Sequence, residues 1–143
     1  MEDIKYVYEV EKDDFVRAGE ASSNIKKILR QLGIDSGVIR KISIATYEAE
    51  MNIVIHSLGG QIILEVTPGF IKVIACDRGP GIADLELAMQ EGYSTATDKV
   101  REMGFGAGMG LPNMKKCSDR FYMKSTIGKG TEIIMEVDLK AGD

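Results

Sequence analysis

Glu48, Asn52 and His56 recur at i, i+4 and i+8. In an α-helix that spacing gathers a carboxylate, an amide and an imidazole on one face, drifting about 40° around the axis at each step. Such a face can hold a hydrated Mg2+, which prefers oxygen ligands and keeps several waters, and can take a proton from a hydroxyl. It would equally serve as the solvated side of an amphipathic helix. Glu50 points about 200° away from Glu48 and is a poor substitute for it. A second group is Asp77-Arg78-Gly79-Pro80-Gly81, directly after the apolar run 70–76. A carboxylate at a strand end can accept a hydrogen bond from an exocyclic amine, and glycines let the backbone approach a flat ring. The same residue types also make a plain turn. The third group is Gly104-Phe105-Gly106-Ala107-Gly108-Met109-Gly110-Leu111. Alternate glycines before a helix expose backbone N–H groups to phosphate, or simply form a hinge. This is no Rossmann fingerprint, because Met109 and Leu111 stand where glycine is required. Gly128-Lys129-Gly130-Thr131 has glycine where a Walker A loop needs Ser or Thr.

The elements that must position these groups follow from periodicity. Residues 4–10 alternate and read as a strand. Phe15, Val16, Ala18, Ala21, Ile25, Ile28, Leu29 and Leu32 fall at helical spacing up to Gly33, a C-terminal stop. Asp35 or Ser36 caps a second helix reaching about Ser57, with the stripe Val38, Ile39, Ile42, Ile44, Ala45, Ala49, Ile53 and Val54. Strands at 61–67 and 70–76 flank the Pro68-Gly69 turn as a hairpin. A short helix is expected over 85–91, a functional or mobile loop over 92–110, a helix over 111–119, and strands over 120–126 and 131–139. The order is that of an α+β domain, helices segregated from a mostly antiparallel sheet.

The chain has 143 residues, a length for a single domain spanning 1–143. Lys+Arg number 18 and Asp+Glu 22, a formal net charge of −4, which argues against a general nucleic-acid binder. No apolar run is long enough to cross a bilayer, and Met1-Glu2-Asp3-Ile4-Lys5 does not open a secretory signal. The 2 cysteines, Cys76 and Cys117, form no CxxC and read as reduced thiols of a cytoplasmic protein. With 1 histidine and no tryptophan, most His-based metal and triad chemistry is removed at the outset.

Taken in order, Glu-x3-Asn-x3-His on a helix, Asp-x-Gly-x-Gly after a strand and Gly-x-Gly-x-Gly before a helix resemble the N box and the two glycine boxes of the histidine-kinase-like ATPase superfamily. That superfamily includes gyrase B, sensor histidine kinases and the mismatch-repair protein MutL. The resemblance covers essentially the whole chain. It implies the Bergerat ATP-binding fold, a two-layer α/β sandwich whose mixed, mostly antiparallel sheet is covered on one face by helices. Within it, the size and the leading strand and helix are similar to the bacterial anti-sigma-factor serine-protein kinases of partner-switching systems. Gly92-Tyr93-Ser94-Thr95 and Gly106 to Leu111 are similar to the branch acting on stressosome scaffold proteins.

Carried onto this chain, the resemblance implies ATP and Mg2+ as cofactors. Glu48 would be the general base and Asn52 the Mg2+ ligand. Asp77 would accept from the adenine amine, with Gly79 and Gly81 shaping the pocket wall. Gly106, Gly108 and Gly110 would let the lid fold over the phosphates, and the helix from Leu111 would turn its N-terminus to them. Thr131 would lie near adenine, Arg101 would reach the γ-phosphate, and His56 would pack or support. Pro112, early in the lid helix, departs from the pattern yet suits a first turn. The implied partners are a STAS-domain antagonist or scaffold protein, a sigma factor or downstream regulator, and a second copy of the chain; nucleic acid and membrane are not expected. The expected activity is a serine/threonine protein kinase acting as a partner-switching regulator. The alternative is a non-catalytic ATP-binding module that sequesters a regulator. An orphaned sensor-kinase domain is disfavoured because the one histidine sits on the ATP-site helix, and a DNA-handling ATPase lacks its further domain here.

Overall fold

The computed structural model describes residues 3–79 and 110–139. Their elements are β1 (Ile4–Val10), α1 (Glu20–Gln31), α2 (Ser36–His56), β2 (Gly60–Val66), β3 (Phe70–Asp77), α3 (Gly110–Lys116), β4 (Arg120–Thr126) and β5 (Gly130–Asp138). The helix expected over 85–91 and nearly all of the glycine-rich segment lie outside the described residues. The five strands form one sheet in the order β1-β2-β3-β5-β4, and each of the four pairings is antiparallel.

Alternation along the strands decides which face the helices cover. In register, Ile62, Ala75 and Ile133 form one buried row, Leu64, Val73 and Met135 a second, and Val66, Ile71 and Val137 a third. Helix α2 packs across β1, β2, β3 and β5, with α1 and α3 against its flanks. Its core face is Val38, Ile39, Ile42, Ala45, Ala49, Ile53 and Val54, as the pattern predicts, joined by Met51 and Thr46. Ile44 departs from the expected stripe and is 37% exposed, because it lies about 200° around the helix from Ile42. Each large aliphatic chain fully buried here contributes about 1.5–3 kcal/mol.

On the opposite face, which no helix among the described residues covers, the rows are different. Lys5, Glu65, Lys72, Glu136 and Arg120 stand side by side with alternating charge, and Lys72 and Arg120 both pair with Glu136. The adjacent row is Val7, Ile63, Ile74, Ile134 and Tyr122, apolar across all five strands.

The first helix begins later than its periodicity suggests. Residues 15–19 are turns, Val16 is 97% exposed, and Gly19 takes a left-handed φ of 98°. Glycine has no side chain to cap α1, and the cap comes from α2 instead. Glu50 is 2% exposed and its carboxylate accepts from the backbone N–H groups of Gly19 and Ala21, each at 3.1 Å through Oε2, and of Ser22 at 3.1 Å through Oε1. The buried charge thus meets the positive end of α1. At the other end, Gly33 (φ 73°) closes a Schellman motif, with Gly33 N–H on Arg30 and Ile34 N–H on the Leu29 carbonyl. Asp35 then caps α2 through Gly37 and Val38 N–H. Helix α3 stops at Lys116, short of the expected 119, because Asp119 N–H already joins the sheet at Glu136 O, 2.8 Å away.

Glu50→Ala leaves three backbone donors without their carboxylate, so urea denaturation should show a loss of about 2–4 kcal/mol, and Glu50→Gln a smaller one. A loss under about 0.5 kcal/mol for the alanine variant would show that solvent caps α1 equally well.

Candidate nucleotide site

The face of α2 turned away from its core stripe carries Glu48, Asn52 and His56, all half-buried, as their spacing predicts. Helix α3 closes over this row. A Cβ placed on Gly110 would lie 3.4 Å from Glu48 Oε2 and 3.9 Å from Asn52 Oδ1. Glycine therefore lets the start of α3 sit directly over the carboxylate and the amide. The Asn113 side chain of α3 lies beside Glu48. Burial pushes the Glu48 carboxyl above its ordinary range, and the Asn113 amide pulls it part of the way back. Burial holds the His56 imidazole below its ordinary range, which favours the neutral ring.

Asp77 ends β3 between two glycines. It pairs with Gly60 of β2, where an added Cβ would meet the Cys76 carbonyl oxygen at 2.1 Å and Asp77 Cα at 2.8 Å. On the other side, a Cβ on Gly130 of β5 would lie 2.0 Å from Asp77 O and 3.1 Å from Asp77 Oδ1. Both neighbouring strands can close on Asp77 only because these positions lack side chains. The Thr131 N–H then donates to Asp77 Oδ1 at 2.9 Å, and Thr131 Oγ1 is 2.9 Å from Ser125 Oγ. Burial pushes the Asp77 carboxyl up, opposed by the Thr131 N–H. Neither Gly60 nor Gly130 stands out in sequence. The available signal was a glycine at the first position of a strand facing the Asp-x-Gly-x-Gly motif.

The two groups are linked through the end of α2. Leu58 N–H donates to Arg78 O at 2.6 Å, Arg78 N–H to Gly59 O at 2.9 Å, and Gly79 N–H to Lys129 O at 3.2 Å. A Cβ on Gly79 would lie 3.3 Å from Ser57 Cα. Asp77 and Gly79 are thus fixed to the C-terminal turn of the helix that carries Glu48 and Asn52. The separation along α2 from Glu48 to Ser57 is about 13 Å at 1.5 Å per residue, comparable with an extended nucleotide. Glu48, Asn52, Gly110 and Asn113 form one end of the arrangement, and Asp77, Gly79 and Thr131 the other. Leu111 is 7% exposed and packs in the core. Gly81, Arg101, Gly106 and Gly108 lie outside the described residues.

The donor set suits Mg2+ shared with phosphate better than a metal caged by protein. Among the described residues no group of three His, Cys, Asp or Glu side chains could hold an ion. Asn52 offers one amide oxygen beside a carboxylate, and Mg2+ characteristically takes few protein ligands and completes its shell with phosphate and water. Cys76 and Cys117 are free, and burial pushes both thiols up, away from reactive thiolate. A cleft of 470 Å3 between β1 and α1 has Glu50 in its lining and contains none of the residues that the three motifs single out. No helix among the described residues is long and apolar enough to cross a membrane.

Residues 37–141 match the family model described as histidine kinase-, DNA gyrase B-, and HSP90-like ATPase. The chain is 35% identical over 124 residues to the serine/threonine-protein kinase RsbT of Bacillus subtilis, covering 84% of this chain and 85% of that protein. It is 30% identical over 140 residues to an anti-sigma F factor of Caldanaerobacter subterraneus, covering 94% and 91%. Another anti-sigma F factor, from Clostridium novyi, is 28% identical over 144 residues, covering 96% and 94%.

Two outcomes test the Asp77 geometry. A carboxyl raised in the folded chain favours the native state at low pH, and that contribution is lost as pH rises through its shifted range. Asp77→Asn keeps an acceptor for Thr131 N–H and removes the charge. The nucleotide-free variant should melt at or above the wild-type temperature at neutral pH, the gap closing on acidification; a wild type that is the more stable at neutral pH would contradict this. Gly128 and Gly130 both have positive φ, 78° and 143°, but only a Cβ at 130 meets neighbouring atoms. Gly130→Ala should therefore cost clearly more in thermal denaturation than Gly128→Ala, for which strain alone predicts about 1–2 kcal/mol. Equal losses would mean that the strand does not press on Asp77.

Proposed function

Since the chain belongs to the histidine kinase-, DNA gyrase B-, and HSP90-like ATPase family, we propose that it binds ATP between the Glu48–Asn52 face of α2 and the Asp77 turn and works as a partner-switching kinase. It is an ATP-dependent serine/threonine protein kinase, as its similarity to such a kinase over most of both chains supports. The observation that carries the site assignment is the placing of Asp77 and Gly79 against the end of the helix whose half-buried row holds Glu48 and Asn52.

Each residue has a physical task. Asp77, half-buried and fixed by Thr131 N–H, accepts from the adenine amine; a base lacking that donor would leave the carboxylate unpaired, which is a strong basis for discrimination. Gly79 and Gly81 keep the wall flat, and Thr131 lies on the adenine side. Gly106, Gly108 and Gly110 form the segment over the phosphates, with Leu111 anchoring its end, and Arg101 is assigned to the γ-phosphate. Asn52 would hold Mg2+, whose chemistry when bound is to offset charge on the phosphate oxygens. Glu48 takes the proton from the acceptor Ser or Thr hydroxyl as its oxygen bonds to the γ-phosphorus and the bond to ADP breaks. Its burial suits this task, since a carboxyl raised toward neutrality accepts a proton more readily. His56, neutral and half-buried, supports the end of α2.

The whole chain serves as one ATPase domain in the cytoplasm. Its substrate is a small STAS-domain antagonist or scaffold protein, and it also binds a sigma factor or downstream regulator. The names of its relatives, a kinase and anti-sigma factors, support a protein that acts by exchanging protein partners. The apolar row Val7, Ile63, Ile74, Ile134 and Tyr122, which no helix among the described residues covers and which is exposed at Val7 and Tyr122, supports contact with another protein, including a second copy. A module that binds ATP and sequesters a regulator without chemistry is the competing reading.

Glu48→Gln separates the two. Labelled Mg-ATP and the STAS-domain proteins of its own cell should show transfer by the wild type and a loss of about 100-fold or more in the variant, with ATP affinity nearly unchanged. Transfer by the variant at close to the wild-type rate would remove Glu48 from the chemistry, and absence of wild-type transfer to all of them would favour the sequestering module.

A further inference from the structure

We infer that Ser125 of β4 is a positioning residue that selects the base: it holds the Thr131 hydroxyl with its proton turned away and an oxygen lone pair turned toward the exocyclic amine of adenine. The inference deepens the reading of Asp77 as the partner of that amine and rests on it. Ser125 itself belongs to none of the three motifs.

The helix-covered face of the sheet ends in a polar row. The row before it is apolar, formed by Ile62, Ala75, Ile133 and Met123. Two residues further along, Gly60 stands opposite Asp77 and Ser125 opposite Thr131. The Thr131 N–H donates to Asp77 Oδ1 at 2.9 Å and joins the two pairs. Alternation puts Asp77, Thr131 and Ser125 on the same face as the apolar row. Thr131 is 8% exposed, so its hydroxyl depends on protein partners, and its Oγ1 lies 2.9 Å from Ser125 Oγ. The direction of that bond follows from the neighbouring carbonyl. A serine hydroxyl has one proton to give and two lone pairs. The Ser125 hydroxyl donates to Gly130 O at 3.3 Å, so its oxygen accepts from Thr131. The Thr131 proton then points toward β4, which leaves the lone pairs of its oxygen for the β3 side, where Asp77 stands.

Two acceptors facing one position select for a donor. An exocyclic amine carries two N–H groups and satisfies both a carboxylate and a hydroxyl oxygen. A carbonyl at the same ring position, as in inosine or guanine, would face lone pairs from both and leave all three oxygens unpaired. A hydroxyl free to rotate would donate to that carbonyl and blunt the distinction. Ser125 removes that freedom.

The test measures, by titration calorimetry, the affinities for Mg-ATP and for Mg-ITP, whose base has a carbonyl in place of the amine. The proteins are wild type, Ser125→Ala, Ser125→Cys, Ser125→Thr, Thr131→Val, the double variant Ser125→Ala with Thr131→Val, and Asp77→Ala. Wild type should bind ATP about 100-fold or more tighter than ITP. Ser125→Ala should shrink that ratio about tenfold, the scale of one buried hydrogen bond regained, with ATP affinity within about threefold and ITP affinity raised. Ser125→Cys, a change of similar size to a weak acceptor, should move the ratio in the same direction, which keeps the test decisive if the alanine variant folds poorly. Ser125→Thr keeps the hydroxyl and should keep the wild-type ratio. In the Thr131→Val background the alanine change should leave the ratio where it stands. A wild-type ratio near one, a ratio that neither Ser125→Ala nor Ser125→Cys moves, an equal loss of affinity for both nucleotides, or the same shift in the Thr131→Val background would overturn the inference. Asp77→Ala separates it from the reading beneath it. ATP binding that Asp77→Ala leaves at the wild-type level would overturn both, whereas ATP binding lost in Asp77→Ala beside an unmoved Ser125→Ala ratio would overturn the role of Ser125 alone.

Discussion

The packing of one face of α2 against the sheet fixes the direction in which its other side points. Val38, Ile42, Ala45, Ala49, Ile53 and Val54 bury one stripe, and helical geometry then leaves Glu48, Asn52 and His56 no choice but the side where α3 and the strand ends meet. The same helix supplies Glu50 to the N-terminus of α1. Two carboxylates two residues apart therefore perform unrelated tasks, one capping a helix and one facing the site. Their separation in role comes from the 3.6-residue period and nothing else.

The second constraint is the closeness of the strands at Asp77. A carboxylate at the end of a central strand would ordinarily be held apart from its neighbours by their side chains. Gly60 and Gly130 remove those side chains, so the Thr131 N–H reaches the carboxylate and water is partly excluded. The result is a polar group fixed in place and kept half-dry, which raises its proton affinity and costs the free protein stability. Glu48 is held in a similar half-buried state at the other end. A site built from two raised carboxyl groups is a reasonable place to receive a ligand that brings its own donors.

Much of this was legible in the sequence because it depends on periodicity and on turn chemistry. The stripe of α2, the Gly33 stop, the Asp35 cap and the Pro68-Gly69 hairpin all rest on local rules, and all stand where they were expected. Most of the failures come from contacts between residues distant in the chain. The start of α1 was misplaced because Phe15 and Ala18 do pack on the core, but from a turn, while the true helix start is set by Glu50, 31 residues from Gly19. Ile44 looked like a core residue from its type alone. Gly60 and Gly130 showed in the sequence only as glycines at strand starts, since their importance comes from what lies opposite them in the fold. The shared face of Glu48, Asn52 and His56 and the turn after Asp77 could be placed from short spacing alone, while all of the glycine-rich segment before Gly110 lies outside the described residues.

The central claim is that a purine nucleotide spans α2 from the Glu48–Asn52 row to Asp77. The most direct measurement is a crystal structure of the protein with Mg2+ and a non-hydrolysable ATP analogue. The account predicts the adenine amine on the Asp77 carboxylate and the phosphates beside Asn52 and Gly110. A nucleotide seated elsewhere, for instance in the cleft between β1 and α1, with Asp77 and Glu48 left untouched, would contradict it.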